Sequence, residues 1–226
     1  HGTAIVITAA LINALKVTKR DIRTMKIVIV GSGAAGVAIS RMITKVLCPK
    51  DVIMCDSKGI ISRGRDDLNP IKIKLLEATN KDNIKGKMED ALIGADIYIG
   101  VSIGGILKPE MIATMNTDPI IFAMANPIPE IMPDLAEKAG AAIVGTGRSD
   151  FPNQINNVLS YPGVFKGLLE NNITKLTDEI KLSAAKAIAS CVKNPNKNNI
   201  LPSALDKDVP RAIARSIKKL KNQNKI

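Results

Sequence analysis

Aromatic residues are scarce in this sequence: they make up 2% of the chain, and tryptophan is absent. A hydrophobic core must therefore be built from Ile, Val, Leu, Ala and Met. Hydrophobic residues reach 46% of the 226 residues, which is enough to bury one large core or two small ones. An aliphatic composition with many glycines favours a parallel β-sheet covered by helices, because such strands are buried on both faces.

Cysteines and long apolar runs are also few. The three cysteines, at positions 48, 55 and 191, are too scattered for a disulfide framework or a metal cluster. No run approaches the roughly 20 apolar residues that span a bilayer. Residues 4 to 15 are apolar, but no basic stretch precedes them as it would in a signal peptide. We therefore expect a chain that is located in the reducing cytoplasm.

Acidic residues are missing from the end of the chain, and the net charge of the whole chain is +11. From Arg211 onward there are six Lys or Arg residues and no Asp or Glu. Such a basic tail binds nucleic acid or an acidic partner in some proteins, and in others it is the solvated face of a terminal helix. Because no RNA-binding motif and almost no stacking aromatic accompanies the charge, we expect the solvated face and no nucleic-acid partner.

Short β-branched runs alternate with helical stretches over the first two thirds of the chain. This alternation predicts parallel βαβ units and a doubly wound sheet of five strands in the spatial order 2-1-3-4-5. The usual third strand of the first half is not visible between residues 80 and 96, so we expect that half to be abbreviated. The predicted strands cover residues 26–30, 51–55, 97–101, 120–124 and 142–145.

Helices are predicted before, between and after these strands. The first is an amphipathic helix over residues 2–17, and the chain from residue 153 onward is predicted to be all-helical. Breaks in this last part are expected at Pro162-Gly163 and at residues 194–202, where proline and asparagine interrupt the pattern. The remaining predicted helices cover residues 34–47, 69–79 and 88–93, a segment from 109, and a segment after 133.

The strongest local signal is a glycine-rich run that follows the first predicted strand and opens a helix. It consists of Gly31, Ser32, Gly33, Ala34, Ala35 and Gly36. In this context GxGxxG is the fingerprint of a Rossmann-type dinucleotide site. Gly31 permits the tight turn, Gly33 lets the backbone approach the pyrophosphate, and Gly36 lets the helix pack against the strand. The helix N-terminus offers its N–H groups to the phosphates.

The fold class is therefore α/β, with a Rossmann-type doubly wound parallel sheet flanked by helices and a helical C-terminal extension. We expect a single dinucleotide-binding domain over residues 1–226. Its sheet-containing core should occupy about residues 18–150, and the C-terminal helices about residues 153–226.

Asp56 ends the second predicted strand, twenty residues after the last glycine of the run. A carboxylate at this position accepts hydrogen bonds from the adenosine ribose and repels a 2′-phosphate, which favours NAD over NADP. Ser57, Lys58, Arg63 and Arg65 lie just beyond it and could offset the charge of a 2′-phosphate. The predicted cofactor is thus NAD or NADP, with a preference for NAD.

Polar segments follow the later strands, at the carboxyl ends where open α/β sheets bind their ligands. Val101 and Ser102 follow the third strand, and Asn126 follows the fourth. The Asn126 amide suits a carboxamide or a carboxylate, or it caps the loop before Pro127. An amide-rich run at 153–157 comes after the fifth strand; capping of a helix start explains one of its amides but not four.

A group that would accept the hydroxyl proton of an alcohol substrate is hard to find. His1 is the only histidine, Tyr98 lies within a predicted strand, and Tyr161 precedes a Pro-Gly pair. No Ser-His-Asp set, HExxH motif or CxxC pair is present. The residues therefore indicate a cofactor-binding module that does not carry its own catalytic base.

Taken together, these motifs resemble those of the bacterial-type malic enzymes. The resemblance extends over nearly the whole chain up to about residue 192, and its last segment is long and specific. The matching segments are His1-Gly2-Thr3 before a helix, IVIVGSGAAG, CDSKG at 55–59, DLNP at 67–70, GADIYIGVS at 94–102, FAMANPIPEIMP at 122–133 and VGTGRSDFPNQINNVLSYPGVFKG at 144–167.

The resemblance implies an NAD(P)-dependent oxidoreductase that converts L-malate to pyruvate and CO₂ with help from Mg²⁺ or Mn²⁺. Members of this family carry a catalytic tyrosine, a catalytic lysine and acidic metal ligands in a preceding domain. Because this sequence starts at His1, we expect a chain without that domain, which binds NAD(P) but does not turn over malate alone. The complete enzyme would be a homodimer.

Individual site residues can be matched to the family motifs. The resemblance implies that Asn126 contacts both the nicotinamide and malate, and that Asn157 contacts malate. No metal ligand and no catalytic residue is expected in this chain. The implied cofactor contacts are the residues of the glycine-rich run together with Asp56, Ser57, Val101, Ser102 and Asn126.

Two other functions stay open at this point. The cofactor domain of another dehydrogenase, such as an amino-acid dehydrogenase, also places a helix before a Rossmann unit, although the segment GTGRSDFPNQINN at 145–157 argues against it. A non-catalytic nucleotide-binding module, or a scaffold within a fused protein, would have the same fold without catalysis.

Overall fold

A computed structural model describes residues 1–224 of the chain. At its centre lies a six-stranded sheet with the spatial order β3-β2-β1-β4-β5-β6. All neighbouring strands are parallel except β2 and β3, which are antiparallel. The strands are β1 (Lys26–Val30), β2 (Asp51–Asp56), β3 (Gly59–Ile60), β4 (Ile97–Gly100), β5 (Ile120–Ala123) and β6 (Ile143–Thr146).

The predicted strand order is confirmed for the five parallel strands, which the structure arranges as β2-β1-β4-β5-β6. The sequence pattern did not reveal β3, whose two residues pair with Cys55 and Asp56 at the sheet edge. A strand of two residues is too short to show an alternating pattern. The first half of the fold is therefore abbreviated: in place of a third parallel strand it has the short antiparallel edge strand β3.

The described residues form nine α-helices. The helices up to α6 connect or precede strands, whereas α7, α8 and α9 form the C-terminal extension. None of the helices in residues 1–224 has both the length and the apolar character required to cross a membrane. The helices are α1 (Gly2–Thr18), α2 (Ala34–Val46), α3 (Pro70–Leu75), α4 (Met88–Leu92), α5 (Pro109–Ile112), α6 (Pro133–Lys138), α7 (Tyr161–Glu170), α8 (Asp178–Ser190) and α9 (Asp208–Asn222).

The first helix lies where the sequence predicts it, but the prediction that it is amphipathic is wrong. Every residue from Ala4 to Leu11 is buried, because α2 contacts one side of α1 and α8 contacts another. Its one buried amide, on Asn13, donates hydrogen bonds to the carbonyls of Ala189 and Ile200 at 2.9 and 3.0 Å. The helix thus joins the sheet layer to the C-terminal helices.

Two predictions about the C-terminal part are also wrong. Pro162 and Gly163 do not break a helix but lie in the first turn of α7, where a missing N–H costs little. A Cβ at Gly163 would lie 2.7 Å from a side-chain atom of Ile213, so glycine is required for the close approach of α9.

Residues 153–156 are not helical, and Gln154 instead forms a bridge with Thr146. The predicted break at 194–202 is confirmed, since it separates α8 from α9.

The basic end of the chain forms the last helix, as predicted. In α9, Ile213 and Ile217 are buried against α7 and α8, while Arg211, Arg215 and Lys218 are exposed. This arrangement is the solvated basic face that the sequence led us to expect. Residues 225 and 226 of the predicted tail lie outside the described residues, and the absence of a nucleic-acid partner stays a prediction.

Asp96 connects the amino-terminal ends of the strands, and its side chain is only 6% exposed. It accepts hydrogen bonds from the Lys26 N–H at 2.7 Å and from Asn116 Nδ2 at 2.8 Å, and it pairs with Arg20. We expect Asp96→Ala to lower the free energy of unfolding by about 3 kcal/mol, because it leaves buried donors and a cation without their partner. Urea unfolding measures this change, and the exposed Asp82→Ala is the control. Equal stability of the two variants would contradict the prediction.

Candidate dinucleotide and substrate site

The carboxyl ends of the parallel strands are aligned by their register. Val30 pairs with Cys55 and with Gly100, Gly100 pairs with Ala123, and Ala123 pairs with Thr146. The segments that follow these residues therefore emerge at one edge of the sheet. This edge brings together loops that are more than 100 residues apart in the sequence, which is the arrangement in which open α/β sheets bind ligands.

The glycine-rich run makes the turn from β1 into α2. Gly31 has a φ of +114°, and a Cβ there would lie 2.6 Å from the carbonyl oxygen of Val101. A Cβ at Gly36 would overlap the carbonyl oxygen of Gly31 itself. The turn therefore packs too closely against itself and against the end of β4 to accept larger residues at these two positions.

Gly33 is different, because it faces open space. A Cβ at Gly33 would meet no atom of residues 1–224 within 4 Å. Gly33 is also the N-cap of α2, and both it and Ala34 are exposed. The N–H groups of the first turn of a helix lack partners within the helix and carry a partial positive charge. An exposed backbone cradle at a helix start fits the pyrophosphate of a dinucleotide.

Asp56 lies at the end of β2 with its side chain 6% exposed. Its carboxylate accepts hydrogen bonds from Arg65 at 3.0 and 3.1 Å, from Lys72 Nζ at 2.6 Å and from the Lys58 N–H at 2.9 Å. Burial by itself raises the pKa of the Asp56 carboxyl, but these hydrogen bonds outweigh burial and hold the pKa below its usual range. Asp56 is thus ionised and lies between two cations.

The basic residues near Asp56 differ in what they are able to contact. Arg63, one of the residues predicted to offset a 2′-phosphate, donates instead to the carbonyls of Leu76 and Asn80 at 2.6 and 2.8 Å. That expectation is wrong for Arg63, because its guanidinium is hydrogen-bonded to carbonyl groups at and beyond the end of α3. Arg65 does reach Asp56, and Ser57 is exposed beside it.

A pocket of about 330 Å³ opens beside the glycine-rich run at the carboxyl edge of the sheet. It is lined by residues from α1, the start of α2 and the ends of β4, β5 and β6. The structure therefore brings five of the predicted site residues to one place: Ala35, Val101, Ser102, Asn126 and Asn157. The lining also includes Thr3, Asn156 and Gly147.

The amides of this pocket have distinct surroundings. Asn157 Oδ1 accepts a hydrogen bond from Thr3 Oγ1 at 2.9 Å. Asn126 is exposed, and its Nδ2 lies 3.1 Å from where a Cβ at Gly147 would be. Asn156 caps the 3₁₀ turn at Asn157–Leu159, which accounts for one amide of the run as predicted. Both asparagines expected to contact ligands therefore face the same cavity.

Asn153 has a structural role that the sequence did not reveal. Its Nδ2 donates to the carbonyls of Val144 and Lys197 at 2.9 and 2.7 Å, and its Oδ1 accepts from the Ile200 N–H at 2.9 Å. It is buried and has a φ of +56°, which asparagine tolerates better than most residues. Asn153 thus anchors the segment that carries Asn156 and Asn157.

Three residues near the site were not singled out from the sequence. Thr3 and Lys72 lie outside the glycine-rich run and the strand ends, so no local motif marked them. Glu130 is fully buried behind the pocket and binds the N–H groups of Ser102 and Ala125. An acidic residue in the apolar segment PIPEIMP was the one available signal, because a buried carboxylate requires partners.

Chemistry beyond binding has little support in the described residues. Among residues 1–224, no three His, Cys, Asp or Glu side chains gather so that they could hold a metal ion. The Tyr98 side chain is buried within the sheet, and Tyr161 Oη accepts a hydrogen bond from the Gly2 N–H at 3.2 Å. Neither tyrosine lines the pocket. A Mg²⁺ or Mn²⁺ ion therefore has no fitting site among these residues.

The sheet order, the turn from β1 into α2 and the amide-lined pocket define a Rossmann-type dinucleotide-binding domain. The particular family follows from comparison with known sequences. Residues 1–221 match the family described as "Malic enzyme, NAD binding domain", and the chain belongs to this family. The predicted resemblance is confirmed, and the alternative of an amino-acid dehydrogenase domain is excluded.

Known malic enzymes are similar over nearly all of the chain. It is 47% identical over 222 residues to the bifunctional malic/malolactic enzyme of Bacillus subtilis, covering 97% of this chain and 54% of that protein. It is 44% identical to the NAD-dependent malic enzyme of Geobacillus stearothermophilus, covering 96% and 45%. The crystal structure of the NAD-dependent malic enzyme of Thermotoga maritima superposes with a TM-score of 0.92 at 45% identity, covering 96% and 57%. The chain thus spans about half the length of the relatives it matches.

Proposed function

We propose that this chain is the cofactor-binding part of a malic enzyme, and that it binds NAD in preference to NADP. The open backbone cradle at Gly33, beside the amide-lined pocket, is the observation that carries the proposal. We also propose that residues 1–226 fold as a single domain. Both NAD-dependent and NADP-dependent enzymes occur among the relatives, so family membership leaves the choice of dinucleotide open.

The proposed dinucleotide extends along the carboxyl edge of the sheet. Its adenosine ribose would bind at Asp56 and its pyrophosphate at the cradle around Gly33. The nicotinamide would lie near Val101, Ser102 and Asn126. When bound, the dinucleotide supplies the acceptor for a hydride from an alcohol substrate. The preference for NAD rests on Asp56, whose ionised carboxylate accepts from ribose hydroxyls and repels a 2′-phosphate.

The proposed substrate is L-malate, with pyruvate as product. Asn126 and Asn157 line one pocket, and an amide N–H₂ is a suitable donor to a carboxylate. Because Asn157 Oδ1 already accepts from Thr3, its Nδ2 is left to donate. Thr3 therefore orients the Asn157 amide toward an anionic ligand, and the exposed Asn126 supplies a second donor in the same pocket.

Turnover is proposed to need groups from the rest of a malic enzyme. A catalytic tyrosine and lysine and the ligands for Mg²⁺ or Mn²⁺ would come from a preceding domain, and the complete enzyme would be a homodimer. Within residues 1–224, the pocket lining contains no His, Lys, Tyr, Asp or Glu that could accept the hydroxyl proton.

We expect the chain to bind NADH more tightly than NADPH and to form no NADH from malate and NAD by itself. Titration of the chain with each reduced dinucleotide, followed by nicotinamide fluorescence, measures the affinities. Absorbance at the NADH band, with malate, NAD and Mn²⁺ present, measures turnover. No detectable affinity for either dinucleotide would favour the scaffold alternative. Malate-dependent NADH formation would contradict the proposal that turnover needs groups from the rest of a malic enzyme.

A further inference from the structure

Glu130 is 0% exposed and lies behind the pocket, between the ends of β4 and β5. Its Oε1 accepts a hydrogen bond from the Ser102 N–H at 3.1 Å, and its Oε2 accepts from the Ala125 N–H at 2.9 Å. Ser102 follows β4, and Ala125 directly precedes Asn126 after β5. One carboxylate therefore links the two loops that carry the proposed nicotinamide contacts.

The ionised form of Glu130 fits this geometry, because both of its oxygens accept from N–H groups. Burial raises the pKa of the Glu130 carboxyl above its usual value, and the N–H groups of Ala125 and Ser102 offset only part of that increase. A buried carboxylate is costly unless its oxygens are satisfied. The hydrogen bonds that its carboxylate accepts within residues 1–224 come from backbone N–H groups, which offset part of the cost of its burial.

The surrounding backbone leaves Glu130 little freedom. A Cβ at Gly100 would overlap the Glu130 carboxyl group, and a Cβ at Gly104 would lie 2.5 Å from the Ile128 carbonyl oxygen. The Leu107 N–H also donates to the Glu130 carbonyl at 3.0 Å. The loop after β4 is therefore packed directly against the segment that holds Glu130, and movement of one requires movement of the other.

We infer that Glu130 is a positioning residue that fixes Ser102 against Asn126 and so shapes the nicotinamide end of the cofactor site. This inference rests on the proposed function, because it assigns the two loops to the nicotinamide. Glu130 does not line the pocket itself and acts through the backbone of its neighbours. The adenosine and pyrophosphate end, at Asp56 and Gly33, lies on other loops, and the side-chain hydrogen bonds of Glu130 go to Ser102 and Ala125 instead.

NADH and ADP-ribose together distinguish an effect on the nicotinamide end of the site from an effect on the adenosine and pyrophosphate end. NADH contains the nicotinamide, whereas ADP-ribose shares the adenosine, the pyrophosphate and the second ribose but lacks it. We expect Glu130→Gln to weaken NADH binding by about tenfold or more, since one of the two charge-assisted hydrogen bonds is lost. ADP-ribose affinity should stay within about twofold of the unsubstituted chain. Calorimetric titration measures both affinities, and Glu110→Gln at an exposed position is the control.

Each outcome decides the question. A selective loss of NADH affinity supports the inference, because general damage to the fold would weaken both ligands alike. Equal weakening of both ligands, or no weakening of either, overturns it. If Glu130→Gln does not fold by circular dichroism, Glu130→Asp keeps the charge but is too short to reach both N–H groups, and the same selective loss is expected. Failure of both variants to fold would assign Glu130 to stability alone. If the unsubstituted chain binds neither ligand, the proposed function fails as well.

Discussion

Gly33→Ala is expected to weaken dinucleotide binding by this chain severely while leaving its fold intact. The added methyl group meets no atom of residues 1–224 within 4 Å, so the folded chain accommodates it. The same methyl group would occupy the space where the pyrophosphate approaches the first N–H groups of α2. Loss of two charge-assisted hydrogen bonds corresponds to an affinity about 100-fold lower or more. NADH titration and thermal unfolding of the same samples measure both effects.

Gly36→Ala provides the matched comparison, because it lies in the same run and adds the same methyl group. There the Cβ would overlap the Gly31 carbonyl oxygen, so α2 must shift away from β1. We expect a loss of about 2–3 kcal/mol in the free energy of unfolding, in addition to weaker binding. If Gly33→Ala bound NADH like the unsubstituted chain, the cradle would not be the pyrophosphate site. If Gly36→Ala were fully stable, the close packing of the run would be less important than the structure indicates.

The sequence predicts the central strands of the fold closely and the edge strand and some helix features poorly. The strands β1, β2, β4, β5 and β6 were placed to within one or two residues, because buried parallel strands read as short, unbroken apolar runs. The edge strand β3 was missed because two residues carry no periodicity. The errors at α1 and at Pro162-Gly163 have a tertiary cause, since both segments are packed against helices that are distant in the sequence.

The sequence predicts those site residues that belong to a local strand–turn–helix pattern. The glycine-rich run and the residues after β4 and β5 follow directly from strand–turn–helix patterns. The partners of these residues were missed because long-range packing creates them. Thr3 and Asn157 are separated by 154 residues, and Lys72 reaches Asp56 across 16 residues from the start of another helix. Arg63 and Arg65 looked equivalent in the sequence, and only the fold distinguishes a helix-capping arginine from one that pairs with Asp56.

Asp56→Asn is expected to reverse the cofactor preference of the chain. The substitution keeps the shape of the side chain but removes its charge, which leaves Arg65 and Lys72 beside a neutral amide. Lys72 then has no carboxylate partner, and Arg65 keeps only Asp67. Both cations attract the 2′-phosphate of NADPH, and an amide is a weaker acceptor for the ribose hydroxyls than a carboxylate. We expect NADH affinity to fall by about tenfold and NADPH affinity to rise. Titrations at two salt concentrations measure both changes, and the gain for NADPH should be larger at low salt.

The same variant is also expected to change the acid stability of the chain. The pKa of Asp56 is lowered in the folded state, so its ion pairs stabilise the fold above the unfolded value of about 3.9. That contribution is lost as the pH falls through the lower, folded pKa. Asp56→Asn should therefore be less stable than the unsubstituted chain at neutral pH, and the difference should shrink in acid as Asp56 becomes protonated. Urea unfolding at pH 7 and at pH 3 measures this, with the exposed Asp66→Asn as control. A difference that is independent of pH would show that the Asp56 carboxylate is not what holds Arg65 and Lys72 together, and the reversal of cofactor preference would then lose its physical basis.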